Sequence, residues 1–423
     1  MRQAFVRCPD VSLECPSRHA DETSSSTLAS CKQRVRAPEA PLVNTRTRSR
    51  PRAIASHDAT TLVIVLTLSL LLTIFALFAF YRVGMDRSDF FLFYRSGRAW
   101  LTGASLYPLD ENPNLNPPLA VVTLFAPLAR LPYRLAQTIW TLAGALALAG
   151  SLRVIRRELE LSAERIVWVV AILSITHAAF LVWLQGQLTW ILLYPVTRAW
   201  TAWRSGRPAH AGLWLGPVVA VKPILALLPL ALSWPVWATA GLVSACLTGL
   251  GIAWTGWDPW TTWLRVGAGV RWLSWPPNAS LWGIAARIQS GRLKGLSIRE
   301  LNPVAVAVVL AVALICWIAA RRERTADRRF VLAVFWSLLI SPLGWIYYLP
   351  LGLGAMIASW PPTPWVWAAV ASMVVPFHMI QPWFKAPAVV RTFGCLYGAG
   401  VMWAFVVWSL SGRAHVADGS DDA

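Results

Sequence analysis

The chain is dominated by long runs of apolar residues separated by short polar and basic segments. Each of the clearest runs is close to the roughly 20 residues that a helix needs to cross a bilayer core. The runs are continuous rather than alternating, which favours membrane-spanning helices over a transmembrane β-barrel. The pattern therefore predicts an all-α polytopic membrane protein. The clearest runs are Thr60–Tyr81, Ile166–Leu184, Pro303–Ala320 and Arg391–Leu410.

Shorter apolar stretches complete the predicted topology. Residues 117–128 are too few for a full span and predict a re-entrant or interfacial helix. Residues 211–232 are interrupted by Lys222-Pro223, which predicts a helix broken into two half-spans. The other predicted spans bring the total to about 11 transmembrane helices. They are 134–152, 188–203, 236–254, 330–345, 346–360 and 364–380.

The two ends of the chain differ from its middle. Residues 1–58 are polar and rich in Ser, Thr and Arg, without periodic hydrophobicity, which predicts a disordered tail. The basic stretch from Arg46 to Arg52 places this tail in the cytoplasm by the positive-inside rule. We expect a transmembrane domain over 59–411 and a cytoplasmic C-terminal tail over 412–423.

The composition indicates whether the protein binds nucleic acid or membrane lipids. The net charge of +18 would suit a nucleic-acid-binding protein, but only 14% of the residues are charged. The basic residues cluster between apolar runs, as in Arg153–Arg157 and 321–329. This is the distribution of cytoplasmic membrane loops, so we expect membrane lipids as partners and no nucleic acid. The six cysteines form no CxxC pair, so neither a disulfide framework nor a metal site is predicted.

Asp89 is the first candidate for chemistry. It follows the first apolar run by a few residues and precedes a group of aromatic residues that ends at Tyr94. A carboxylate at a membrane edge can be a simple helix-end charge. It can also be a general base, which takes the proton of an acceptor hydroxyl as the oxygen attacks. The position beside the membrane suits a lipid substrate.

Lys222 is the second candidate. A charged residue within an apolar run is costly and usually marks a functional site, although a lysine near a helix end can also snorkel to the interface. Because Pro223 breaks the helix here, the ammonium is a candidate ligand for a phosphate or pyrophosphate group.

Three other segments carry polar or aromatic groups that suit a sugar or a lipid phosphate. Gln185 and Gln187 flank Gly186, and amides both donate to and accept from sugar hydroxyls. The Trp-rich segment 254–287 contains arginines and predicts an interfacial amphipathic helix. Aromatic residues at 345–348 could stack on a sugar face. A plain loop and interface anchors are the simpler alternatives for these segments.

These elements, in this order, resemble glycosyltransferase family 87, the polyprenyl-phosphate-mannose-dependent mannosyltransferases of the GT-C membrane superfamily. The resemblance covers residues 60–410 and departs from the family pattern at two places. Asn116 stands where the family usually has Tyr, and Tyr347 or Tyr348 stands where a His usually follows. The matching positions are Asp89-Phe90, Tyr94, Gly103, Leu106-Tyr107, Pro117-Pro118, Pro127-Leu128, Gly186-Gln187, Ala211-Gly212, Lys222-Pro223, Asn278-Ala279-Ser280-Leu281, Ser341-Pro342 and Trp345.

The resemblance implies a GT-C fold and transfer of a hexose, expected to be mannose, from a polyprenyl-phosphate donor to a cell-envelope lipid or glycan acceptor. Transfer would invert the anomeric centre at the external face of the plasma membrane. Asp89 would be the catalytic base, and no metal or other cofactor is expected. The donor phosphate would be bound by Lys222, Arg271 and Arg287. Other substrate contacts would come from Tyr94, Tyr107, Gln185, Gln187, Asn278, Ser280, Trp345, Tyr347 and Tyr348.

Two other functions fit part of the pattern. A transporter or flippase of lipid-linked precursors would also use Lys222 and a broken helix. Transporters usually carry polar residues inside several spans, whereas here these residues collect in predicted external loops, which favours an enzyme. The third alternative is a non-catalytic membrane protein of cell-envelope assembly.

Overall fold

The computed structural model describes residues 59–107, 113–292, 295–361, 363–374 and 386–417. These residues are mainly helical, with two isolated β-bridges as their only extended pairing. The prediction of an all-α protein is confirmed for this part of the chain. The predicted N-terminal tail, 1–58, and residues 418–423 of the predicted C-terminal tail lie outside the described residues.

The helices follow one another with short connections. The first half contains α1 Ala59–Arg87, α2 Asp89–Leu101, α3 Pro118–Ala129, α4 Tyr133–Glu158, α5 Ala163–Ile175, α6 His177–Gln185, α7 Thr189–Arg204, α8 Pro208–Val221 and α9 Leu227–Leu232. The second half contains α10 Trp234–Thr255, α11 Asp258–Gly269, α12 Leu281–Ser290, α13 Pro303–Arg322, α14 Ala326–Ile340, α15 Leu353–Ala358, α16 Trp365–Val374, α17 Pro387–Phe393 and α18 Leu396–Ala417. Short 3-10 helices lie at Pro223–Leu225, Ile298–Glu300 and Ile346–Gly352.

Local sequence signals set several helix ends. Ser88, Thr176 and Ser280 begin α2, α6 and α12, and each side-chain oxygen accepts a backbone N–H of the first turn. Gly186 and Gly291 follow α6 and α12 with φ of 63° and 60°, the left-handed conformation that glycine adopts without strain.

Membrane-spanning capacity is concentrated in a few helices. Among the described residues, α4, α10, α13 and the segment Pro387–Ser411 are long and apolar enough to cross a bilayer. The helices α5 and α6 add one further candidate, bent by 72°. The predicted total of about 11 spans is not confirmed. Residues 346–360, for example, are a 3-10 helix of 7 residues followed by the 6-residue α15.

The break predicted at Lys222-Pro223 is confirmed. Helix α8 ends at Val221, and Lys222 leaves the helical conformation with φ −135° and ψ 80°. The proline ring clashes with a helical conformation of the preceding residue, which explains the position of the break. A 3-10 turn and the short α9 then continue the chain.

Close helix contact in this region depends on small residues. A Cβ on Gly212 would lie 2.7 Å from Thr239 Cβ, and one on Gly216 would lie 2.5 Å from Val243 Cβ. These glycines are four residues apart on one face of α8 and face α10, the arrangement in which membrane helices approach closely. The close contact fixes the C-terminal end of α8, from which Lys222 emerges.

The outer faces of the long helices are apolar. Leu146 on α4 is 74% exposed, Val304 on α13 is 70% exposed and Leu242 on α10 is 66% exposed. Large aliphatic side chains exposed along whole helices would be unfavourable in water. They suit contact with lipid tails, so these helices indicate a membrane protein.

Candidate active site

Asp89 occupies the first turn of α2, immediately after the cap residue Ser88. The partial positive charge of a helix N-terminus favours a carboxylate there. The Gln187 amide nitrogen donates a hydrogen bond to Asp89 Oδ2, across 98 positions of the sequence. The structure thus joins the acidic residue of one predicted motif to the amide of another.

The turn at Gly186 positions Gln187. A Cβ at Gly186 would lie 2.7 Å from Phe90 Cβ, so the loop packs directly against the first turn of α2. Trp140 Nε1 donates to the Gly186 carbonyl at 2.8 Å and holds the loop from the side of α4. Gln187 is consequently buried, whereas Gln185 is partly exposed and has no contact with Asp89 among those that the structure describes.

Lys222 brings a positive charge to the same place. Its Nζ atom lies 5.8 Å from the ring centroid of Phe93 and 5.9 Å from that of Tyr348. Within the described part of the chain the ammonium makes no hydrogen bond or ion pair. It interacts with Asp89 only through space. A buried cation held over aromatic rings in this way is available to an anionic ligand.

Phe93 is a site residue that the sequence reasoning missed. It lies four residues after Asp89 in α2, and this spacing places both side chains on one helix face. That periodicity was the signal that could have found it.

The protein around Asp89 sets its acidity. The residue as a whole is only partly buried, but protein atoms surround its carboxylate. Burial raises the pKa of Asp89 to about 6, although the Lys222 charge and the Gln187 hydrogen bond both act to lower it. A carboxylate with this pKa is ionised at neutral pH and is a more effective proton acceptor than an ordinary aspartate.

Tyr347 and Tyr348 form an aromatic wall beside Lys222. Their ring centroids are 4.8 Å apart in a T-shaped contact, and the Trp345 ring stacks on Tyr347 at 5.9 Å. Both tyrosines are close enough to Asp89 to interact electrostatically with it. The hydroxyls of Tyr347 and Tyr348 are also close enough to interact with each other. The site therefore combines Asp89, Gln187, Lys222 and these two tyrosines.

Two motifs that are distant in sequence form the support for this wall. Asn278 and Trp345 are joined by an isolated β-bridge. Asn278 Nδ2 donates to the carbonyls of Leu273 at 2.9 Å and Pro342 at 2.8 Å. Ser280 caps α12 by accepting the N–H of Gly283 at 3.0 Å. Asn278 therefore joins the two loops, and Ser280 fixes the start of α12; substrate binding by these two side chains stays a prediction.

The family model of glycosyltransferase family 87 matches residues 114–342, which is more than half of the chain. The chain belongs to glycosyltransferase family 87. Membership confirms the family predicted from the sequence, and together with the apolar helices it identifies a membrane glycosyltransferase. The matched region contains Gln187, Lys222 and Asn278, whereas Asp89 and Tyr347 lie outside it. Comparison with curated proteins and with solved structures gives no significant match.

The two arginines predicted to bind phosphate in this family 87 protein have other contacts. Arg287 is fully buried and donates to the carbonyls of Trp275 and Asn278, each at 3.0 Å. Arg271 is largely exposed and pairs with Glu300. No contact that the structure describes links either arginine to Lys222. Phosphate binding by Arg271 and Arg287 therefore stays a prediction, and the contacts of Arg287 favour a positioning role.

The hydroxyls of the two predicted tyrosines in the first loop are also engaged. Tyr94 Oη donates to the Leu131 carbonyl at 2.7 Å, and Tyr107 Oη donates to the Asn116 carbonyl at 2.7 Å. These bonds tie α2 and the segment after it to the chain around α3. Substrate binding by these tyrosines also stays a prediction.

Potential metal ligands are sparse near Asp89. Across the described ranges, no group of three or more His, Cys, Asp or Glu side chains is placed to hold a metal ion.

Proposed function

We propose that this protein transfers a hexose, preferably mannose, from a polyprenyl-phosphate donor to a lipid or glycan acceptor of the cell envelope. The observation that carries the proposal is the pair of opposite charges in one buried site. Asp89 is hydrogen-bonded by a neutral amide, and Lys222 is held near it without a direct ion pair. Such an arrangement leaves both charges available to substrates.

The reaction follows from these two groups. Asp89 takes the proton of the acceptor hydroxyl as that oxygen attacks the anomeric carbon of the donor. The bond from this carbon to the phosphate oxygen breaks on the opposite face, so the configuration inverts. The electron pair leaves with the polyprenyl phosphate, whose negative charge Lys222 stabilises. No acid is needed to protonate this leaving group.

The apolar surroundings support a lipid-linked donor. The side chains packed around Gln187 are mainly apolar and include Phe80, Trp140, Val182 and Ile191. They adjoin α4, whose exposed aliphatic face suits lipid contact. A donor with an isoprenoid tail could therefore keep that tail in lipid while its phosphate approached the charged groups.

The distribution of basic residues supports an external active site. The rings of Phe90 and Phe91 each lie 5.9 Å from that of Tyr133, at the start of α4. The basic segment Arg153–Arg157 lies near the other end of this helix, about 30–36 Å from Tyr133 along its axis. If that segment is cytoplasmic, as the positive-inside rule implies, Asp89 is at the external face of the plasma membrane.

The decisive experiment is sugar transfer by the purified protein from radiolabelled polyprenyl-phosphate-mannose to membrane extracts. We expect wild type to label the extract and Asp89→Asn to lose transfer while folding normally. Asp258→Asn is a matched control, because this carboxylate also lies in a first helical turn but is exposed and belongs to α11. It should transfer at the wild-type rate.

Two outcomes would contradict the proposal in different ways. Transfer by Asp89→Asn at the wild-type rate would remove Asp89 from the role of base. No transfer by wild type, with the donor hexose varied, would argue against a polyprenyl-phosphate sugar donor. That result would favour the transporter and non-catalytic alternatives.

A further inference from the structure

The loop before α3 contains a pair of buried amides with unused hydrogen-bonding groups. Asn114 is 3% exposed and Asn116 is 0% exposed. Asn114 Oδ1 accepts hydrogen bonds from the backbone N–H and from Nδ2 of Asn116, both at 2.9 Å. In the described structure, Asn114 Nδ2 and Asn116 Oδ1 have no partner, although both atoms are buried. Reversing the Asn114 amide would place a donor against two donors, so its orientation is determined by the contacts.

The amide pair is held firmly in place. Tyr107 Oη donates to the carbonyl of Asn116 at 2.7 Å, and Trp263 Nε1 donates to the carbonyl of Leu115 at 3.1 Å. These two bonds come from different parts of the chain, one from the segment after α2 and one from α11. The unused amide atoms therefore have a fixed direction.

The pair also lies near the charged site. Leu119 packs with Ala220 and Trp260 in a small apolar cluster. Asn116 is three residues before Leu119, at most about 10 Å along the chain, and Ala220 is two residues before Lys222. The loop thus lies beside the end of α8 from which the Lys222 side chain extends toward Phe93.

We propose that Asn114 Nδ2 and Asn116 Oδ1 bind sugar hydroxyl groups of a substrate at the Asp89–Lys222 site. This assignment rests on the proposed function. Burying a polar atom without a partner is unfavourable, and a bound hydroxyl would remove that cost. One free donor next to one free acceptor matches hydroxyls, which both donate and accept. A phosphate, which only accepts, would be repelled by the amide oxygen. The hydroxyls belong either to the donor hexose or to the acceptor glycan.

The substitution Asn114→Asp tests the pair with little structural change. The carboxylate keeps the oxygen that accepts from Asn116, replaces the free donor with an oxygen and adds a negative charge. Asn302→Asp is the matched control, because Asn302 Oδ1 likewise accepts a backbone N–H, from Val304 at 2.8 Å, and its residue is exposed. Thermal unfolding in detergent verifies that both variants are folded.

Binding and kinetics then separate the two sources of the hydroxyls. The probes are farnesyl-phosphate-mannose and farnesyl phosphate, which lacks the sugar. Both probes carry a phosphate, so the added charge affects both of them. If the donor hexose is bound, Asn114→Asp should weaken binding of the first by about tenfold more than binding of the second. If the acceptor is bound, both probes are affected equally and the KM for acceptor extract rises instead.

The assignment is overturned if Asn114→Asp affects both probes equally and leaves the acceptor KM at the value found for Asn302→Asp. The amides would then be a structural pair that bonds water. A wild-type protein that binds neither farnesyl probe would instead refute the proposed donor, and the assignment with it. The two failures are therefore distinguishable.

Discussion

Removing the amide of Gln187 should shift the pH dependence of transfer. Its hydrogen bond to Asp89 favours the ionised carboxylate and helps to lower the pKa from what burial alone would produce. A hydrogen bond to a charged group contributes about 1.5–3 kcal/mol, and one pKa unit corresponds to about 1.4 kcal/mol. In Gln187→Leu the pKa of Asp89 should therefore rise by about 1–2 units, from about 6 to about 7–8.

The higher pKa of Asp89 in this variant should reduce transfer at acidic pH. The base must be ionised, so transfer falls as the pH drops through the pKa of Asp89, by about tenfold per unit well below it. At pH 6 we expect Gln187→Leu to retain about 2–20% of wild-type kcat/KM. Above about pH 9 both carboxylates are ionised, so the variants should differ only by any pH-independent effect of the missing amide on binding.

The assay is kcat/KM for transfer measured from pH 5 to pH 9, since this ratio reports ionisation of the free enzyme. The control is Gln185→Leu, which removes a neighbouring amide that has no described contact with Asp89. Its acid limb should stay near pH 6 whatever its effect on the maximal rate. An acid limb at the same pH in Gln187→Leu and wild type would refute the link between this hydrogen bond and the base.

Three further predictions concern the support of the site. Lys222→Met should raise the donor KM by about 10- to 100-fold, because it removes a charge-assisted contact with the phosphate. An equal rise in the acceptor KM, measured by steady-state kinetics, would contradict a phosphate role. Gly186→Ala should lower both transfer and Tm more than Gly206→Ala, because both glycines have positive φ but only at Gly186 would the Cβ clash; equal Tm values would contradict the packing argument. Arg287→Met should lower the free energy of unfolding by about 3–5 kcal/mol, because two buried carbonyls lose a cationic donor. Arg271→Met, at an exposed ion pair, should scarcely change Tm. An unchanged Tm in Arg287→Met would argue against its positioning role.

Helical content and the helix break were predictable because their causes are local. A run of about 20 apolar residues satisfies its backbone only as a helix in lipid. Pro223 restricts the residue before it wherever the chain folds. The number of spans was less predictable, since residues 346–358 are apolar enough for a membrane but form a 3-10 helix and a short α-helix. Apolar composition shows that a segment is buried, and leaves open whether lipid or protein covers it.

The candidate site residues likewise include some that the sequence could indicate and some whose roles only the structure could show. Asp89 and Lys222 could be singled out from the sequence because a charge beside or within an apolar run is costly wherever it lies. Their common site, and the choice of Gln187 over Gln185 as the partner of Asp89, depend on the turn at Gly186 and on its packing against Phe90. Spacing along the chain contains no information about such a contact.

By itself, the sequence determined that the protein is helical, membrane-embedded and a member of a glycosyltransferase family, because these properties follow from composition and from residues in a fixed order. Tertiary structure alone decided which polar groups meet. The Asn278 side chain, for example, donates to the carbonyl of Pro342, 64 residues further along the chain. A hydrogen bond needs its two atoms within about 3 Å, and only the packing of distant segments determines which atoms approach that closely.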